Sequence, residues 1–157
     1  WGKVGKSGGP ATAMLMGEYR HSLDDKGRVF VPAKLRQGLG DSFVVTKGLD
    51  HCLFMFPLGE WEALKRRLEQ LPLTRSDARA FVRFIFAGAS ECELDRQGRI
   101  LLPAPLREYA GIQREVVFIG VGSRAEIWSA DRWQAYQGET ESSYEEKAEK
   151  LADMGIL

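Results

Sequence analysis

Two short apolar runs of the same shape set the pattern of this chain. Val29-Phe30-Val31 and Ile100-Leu101-Leu102 each follow an Asp-x-x-Gly-Arg segment and each lead into Pro-Ala. The full match runs from Leu23 to Arg36 and from Leu94 to Arg107. A shift of 71 residues superposes Leu, Asp, Gly, Arg, three apolar residues, Pro, Ala, Leu and Arg in order. With one inserted residue, Trp61 and Ala63 fall on Trp133 and Ala135. A self-match this long marks a tandem of two related units.

Within each unit the pattern predicts a tight turn, a strand and a short helix. Asp24 suits the first position of a type I turn, where its carboxylate accepts backbone N–H bonds. Gly27 suits the position that needs a positive φ. Asp95 and Gly98 take the same places in the second unit, and a type I turn closed by a left-handed glycine commonly joins a hairpin. The apolar runs that follow are expected to be strands buried on both faces. Pro32 and Pro103 stop them and can open a helix, because proline lacks the N–H that a first helical turn leaves unused. Gly38 or Gly40, and Gly111, end those helices.

Further along, Ser42 to Lys47 and Cys52 to Phe56 read as a strand pair linked through Gly48-Leu49-Asp50-His51. Pro57 opens a helix through about Gln70, with Leu58, Trp61, Leu64, Leu68 and Leu71 on one stripe. A second helix follows over 77–89, capped by Thr74 or Ser76. Its Ala78, Phe81, Val82, Ile85 and Ala89 lie at helical spacing, with Phe84 and Phe86 beside them, so it is expected to be buried between the units or at a subunit contact. Val116 to Val121 and Ala125 to Trp128 repeat the strand pair. Ser129 or Asp131 caps a helix carrying Trp133 and Tyr136, and an acidic, partly helical tail closes the chain. The division expected is a leader over 1–13, a first unit over 18–60, linking helices over 61–88, a second unit over 89–132 and a tail over 133–157.

The turns display Lys26 and Arg28 in one unit and Arg96 and Arg99 in the other. Cations on a rigid turn are placed to meet phosphates or base edges, and arginine can bond guanine bidentately. The competing reading is structural: Arg28 and Arg99 pair with Asp24 and Asp95 and simply hold the turn.

Gly17-Glu18-Tyr19-Arg20-His21-Ser22-Leu23-Asp24-Asp25-Lys26-Gly27-Arg28, Pro32-Ala33-Lys34-Leu35-Arg36 and Cys92 to Arg99 together resemble the MraZ family of bacterial transcriptional regulators, over about Met14 to Trp133. The resemblance implies two SpoVT–AbrB-type swapped-hairpin units in one polypeptide, ring-like homo-oligomers, and binding of double-stranded DNA through the first Asp-x-x-Gly-Arg. The second turn has Arg96 and Gln97 where the first has Asp25 and Lys26. A hairpin with few strands is marginal alone. Two copies exchanging strands can form a pseudo-twofold barrel with flanking helices, so the fold expected is α+β and β-rich.

Composition narrows the function classes. The chain has 157 residues, 44% hydrophobic and 28% charged, as in soluble globular proteins. No apolar run approaches the ~20 residues of a membrane span. Cys52 and Cys92 have no metal-ligand spacing and are expected to be small buried hydrophobes. The net charge is zero, but residues 139–157 hold six acidic and two basic side chains. That leaves 20 basic against 16 acidic elsewhere, a net of +4. Such a body suits DNA binding at a few concentrated points, with avidity from several copies.

No catalytic triad, metal cluster or nucleotide loop appears. His21 and His51 have no serine or acid at a spacing that would make either a catalytic base. No cofactor, metal or small-molecule substrate is expected.

The function expected is a sequence-specific DNA-binding regulator, cytoplasmic and nucleoid-associated; the resemblance implies a repressor of its own division and cell-wall operon that binds TGGG-type direct repeats. Arg28 is expected to read bases, with Lys26 and Arg20 on phosphates and Arg96 and Arg99 behind them. The alternative is an oligomeric protein-interaction scaffold whose Asp–Arg turns are purely structural. The Gly-rich leader Trp1 to Ala13 also admits a reading at the nucleotide level. With GTG for Val4 and AGT for Ser7, its codons can spell TGGG-type sites starting near nucleotides 1, 11 and 21, about one DNA turn apart. It is then an operator read through from a start codon assigned too early.

Overall fold

The computed structural model describes residues 14–156, so the reading of the leader lies outside the described residues. The chain runs β1 (Leu15–Ser22), β2 (Arg28–Phe30), α1 (Ala33–Leu39), β3 (Ser42–Lys47), β4 (Leu53–Pro57), α2 (Leu58–Glu69) and α3 (Ser76–Ala87). The same order then recurs as β5 (Ser90–Glu93), β6 (Arg99–Leu101), α4 (Ala104–Ala110), β7 (Glu115–Gly122), β8 (Ala125–Ser129), α5 (Ala130–Ser142) and α6 (Tyr144–Ala152). The fold is α+β and sheet-rich.

Six strands form one antiparallel sheet in the order β1-β7-β8-β4-β3-β5, while β2 and β6 pair separately as a two-stranded ribbon. The two copies are interlocked. The first strand of each lies on the third strand of the other: β1 pairs with β7 from Leu15↔Gly122 to Ser22↔Glu115, and β5 pairs with β3 from Ser42↔Glu93 to Val45↔Ser90. The halves meet at β4 and β8, where Leu53 stands opposite Ile127.

Period-two alternation divides the sheet between two layers. Phe43, Val45, Leu53, Met55, Val116, Phe118 and Ile127 face a core shared with the ribbon, α1 and α4. On the other face, Val44 and Phe56 pack with Trp61 of α2, and Val117, Ile119 and Trp128 pack with Trp133 of α5. Strands covered on both sides explain why the middles of β3 and β7, Phe43-Val44-Val45 and Val116-Val117-Phe118-Ile119, are continuous apolar runs. Thr46, fully buried in β3, donates its hydroxyl to the carbonyl of Ile85 at 2.6 Å and so ties α3 to the sheet.

Several expectations change. Each turn forms, but its two arms do not pair with each other: β1 joins β7 and β2 joins β6. The turn is thus a crossing from sheet to ribbon. Pro32 and Pro103 end the ribbon strands after three residues. No closed sheet is found among the described residues, so the sheet has edges at β1 and β5 instead of closing as a barrel. The runs after the turns are buried on one face only, leaving Phe30 and Leu101 exposed while Val29 and Ile100 are buried. On α3 only Ile85 is buried, and Phe81 and Phe84 face outward. Arg75 stands at its N-cap without a side-chain cap bond, whereas Ser129 does cap α5, accepting from the N–H of Arg132.

Candidate nucleic-acid interface

Both turns are built alike from the aspartate outward. Asp24 Oδ1 accepts the backbone N–H of Lys26 and of Arg28, each at 2.9 Å, and the Gly27 N–H returns to the Asp24 carbonyl at 3.0 Å. In the second turn Asp95 Oδ1 accepts from Gln97 and Arg99, again at 2.9 Å. Gly27 and Gly98 both sit at φ 84°, the left-handed conformation expected of them. These bonds favour the ionised aspartate. The Arg28 backbone N–H, then the Arg28 side chain and the Lys26 N–H, hold the Asp24 carboxyl down to about 2 against the opposing effect of burial. Asp95 is lowered by the equivalent groups, the Arg99 N–H first.

Each aspartate also takes the Nε of its own arginine: Arg28 to Asp24 Oδ2 at 2.7 Å, and Arg99 to Asp95 Oδ2 at 2.9 Å. The structural role weighed for these residues is therefore real. It leaves both arginines at the surface, however, with 35% and 21% of their side chains exposed. The Nη groups of Arg28 make no hydrogen bond among the described residues. Arg99 reaches across the copies, its Nη1 lying 3.8 Å from Asp24 Oδ2.

The ribbon brings the two turns together. Arg28 stands opposite Leu101, Val29 opposite Ile100 and Phe30 opposite Arg99, so a pseudo-twofold axis passes through the Val29–Ile100 pair. Backbone bonds join each ribbon end to the other copy's turn, from the Val31 N–H to the Gly98 carbonyl and from the Leu102 N–H to the Gly27 carbonyl, both at 3.0 Å. Lys26 and Arg96 are exposed at the turn tips.

Two further cations join this surface, Arg36 and Arg107. Arg36 on α1 donates its Nε to the Val31 carbonyl at 2.9 Å and packs its guanidinium on Gly98. Arg107 on α4 does the same with the Leu102 carbonyl at 3.0 Å and with Gly27. Both stand at matched positions of the repeat, a signal that could have found them.

Arg20 is not brought into this group. It is exposed on β1, next to His21, whose ring meets Phe118 of the shared core at 5.9 Å. That contact places His21 on the ribbon side, where burial, then the Arg36 guanidinium, lowers its pKa. Alternation turns Arg20 to the opposite side, as it does Glu18, which accepts from Gln137 of α5.

Asp25, Asp24 and Asp95 temper the positive charge, and Arg114 approaches Asp25 at 3.8 Å. Among the described residues no cluster of His, Cys, Asp and Glu could hold a metal ion, and no helix is long and apolar enough to cross a membrane. What the surface offers is a paired set of guanidinium and ammonium groups fixed by backbone bonds, suited to phosphates and base edges.

Comparison with known proteins agrees with this duplicated architecture. A family model described as "MraZ protein, putative antitoxin-like" matches the chain twice, over residues 14–84 and 85–154. A protein of Pelotomaculum thermopropionicum named transcriptional regulator MraZ is 62% identical over 143 residues, covering 91% of this chain and 99% of its own. Relatives of the same name from Natranaerobius thermophilus and Moorella thermoacetica are 61% and 59% identical over 143 residues, each covering 91% of this chain and 100% of its own.

Proposed function

The chain belongs to the MraZ family, and on that footing we propose that it is a sequence-specific DNA-binding transcriptional regulator, not an enzyme. The observation that carries this reading is the ribbon, which sets Lys26, Arg28, Arg96 and Arg99 around one pseudo-twofold axis. The curated relatives are named transcriptional regulators. In this reading Arg28 bonds a guanine through its Nη groups while its Nε remains on Asp24. Lys26, Arg96 and Arg99 meet phosphates. Arg20, on the other side of the sheet, stays outside the contact.

The finer proposal is a repressor of its own division and cell-wall operon, acting in the cytoplasm at the nucleoid and binding TGGG-type direct repeats. Few phosphates are neutralised by one chain, so useful affinity needs several copies on repeats of matching phase. We take the copies to assemble as a ring-like homo-oligomer in which the two units of each chain act as swapped-hairpin SpoVT–AbrB-like modules. In this reading each chain divides into a first module over 18–60, linking helices over 61–88, a second module over 89–132 and a tail over 133–157. Exposed Phe81 and Phe84 on α3, and Tyr136 and Tyr144 on α5 and α6, supply apolar surface for such contacts.

The test is binding of wild type and Arg28→Ala to a duplex of spaced TGGG repeats and to its scrambled counterpart. The substitution should remove about 1–3 kcal/mol of discrimination. Changing the repeat spacing by half a helical turn should abolish the gain from avidity. Equal discrimination by the two proteins overturns the role of Arg28. Binding that does not weaken as salt rises favours the scaffold reading, in which the Asp–Arg pairs are structural alone.

A further inference from the structure

The ribbon's outer face carries more than cations. Arg28 and Phe30 are two apart on β2, and Arg99 and Leu101 are two apart on β6, so all four project to one side. The residues between them, Val29 and Ile100, are 1% and 2% exposed, as are Val31 and Leu102 beyond them at 0%. Phe30 and Leu101 by contrast are 45% and 57% exposed. The register sets Phe30 opposite Arg99 and Leu101 opposite Arg28, so the face is a checkerboard with guanidiniums on one diagonal and apolar side chains on the other. The Arg99 guanidinium stands 5.8 Å from the centre of the Phe30 ring.

This mixture matches the chemistry of one surface. The major groove of B-DNA admits a two-stranded ribbon. There guanine offers N7 and O6 to arginine, while thymine offers a C5-methyl group that only an apolar side chain can meet favourably. A phosphate-tracking surface has no use for Phe30 and Leu101, and a purely apolar contact has no use for guanidiniums interleaved with them.

We propose that Phe30 and Leu101 are specificity-determining residues that meet thymine methyl groups in the major groove, one on each side of the pseudo-twofold axis, beside the bases or phosphates taken by Arg28 and Arg99. This rests on the DNA-binding reading above and adds the identity of the neighbouring base. The two-fold relation of Phe30 to Leu101 places one methyl contact on each side of the site's centre. Phenylalanine on one side and leucine on the other make the two contacts unequal.

The experiment uses a duplex selected by the full-length protein from a randomised pool. Each thymine in turn is replaced by deoxyuridine, which removes the methyl group and nothing else. Wild type should lose roughly three- to fivefold in affinity at two positions of the site, one on each side of its centre, the effect of one buried methyl each. Phe30→Ala should lose the thymine-to-uracil difference at one position and keep it at the other, and Leu101→Ala should do the reverse. The readout is a ratio within each variant, so general loss of folded protein cancels. Wild type indifferent to every replacement overturns the inference while leaving the DNA-binding reading intact. So does a Phe30→Ala variant that keeps the full difference at every position, including one whose oligomeric state alone has changed. Failure of wild type to select any duplex overturns the DNA-binding reading and this inference with it.

Discussion

The Arg36 guanidinium lies so close to Gly98 that a Cβ at that position would overlap it, and Arg107 stands in the mirrored place against Gly27, 3.1 Å from where a Cβ would be. Each turn is thus braced by a helix belonging to the other copy. With the exchanged backbone bonds from Val31 to Gly98 and from Leu102 to Gly27, this makes the two turns and the ribbon one rigid body. Neither turn can shift without moving its counterpart.

Alanine at either glycine should therefore destabilise the protein, and unequally. Both sites carry the left-handed strain of roughly 1–2 kcal/mol, but only Gly98→Ala also drives a methyl group into a guanidinium. Chemical denaturation should rank Gly98→Ala below Gly27→Ala. Adding Arg36→Ala should recover part of the Gly98→Ala loss, whereas strictly additive effects would show that the packing is unimportant.

The aspartates make the turns acid-sensitive. Asp24 is ionised down to about pH 2 when folded and to about pH 4 when unfolded. A group whose folded pKa is depressed contributes stability above the unfolded value, and loses it as pH falls through the folded one. Thermal melts should show wild type losing stability from about pH 4 toward pH 2. Asp24→Asn should be less stable at neutral pH and show a shallower fall. Parallel curves would mean that Asp24 contributes nothing to the fold through its charge.

Much of this was legible in the chain itself. The repeat, the turn chemistry of Asp24 and Gly27, and the short helices after Pro32 and Pro103 follow from local rules that operate within a few residues. What failed was long-range. Nothing near Ser22 or Arg28 says that their strands pair with β7 and β6 rather than with each other, because that choice is made by the other copy's edges. The same partnership exposes Phe30 and Leu101, which an unbroken apolar run had suggested were buried. Arg20, expected on phosphates with Lys26, lies on β1, where period two turns it away from the ribbon. Arg36 and Arg107 were visible as matched positions, and their use appears only when each helix is seen against the opposite turn.

Salt should report on the turn tips. Lys26 is exposed and makes no ion pair among the described residues. Lys26→Ala should weaken binding about equally on all duplexes and reduce the salt slope by about one. A sequence-dependent loss would assign Lys26 to a base edge instead.

The cysteines should be inert. Cys52 is fully buried with its thiol donating to the Leu49 carbonyl at 3.2 Å, and Cys92 on β5 is buried in the shared core. Burial pushes both thiols upward in pKa, so little reactive thiolate forms. Mass spectrometry after iodoacetamide treatment should find neither alkylated in the native protein and both alkylated in denaturant. Rapid native labelling would show that the core opens.

Replacing single operator guanines with 7-deazaguanine removes the N7 acceptor that an arginine fork needs, and so addresses the reading turn itself. Wild type should lose affinity at the guanine that Arg28 takes, and Arg28→Ala should bind the modified and unmodified duplexes equally at that position. An Arg28→Ala protein that still loses affinity at every position where wild type does would contradict the account.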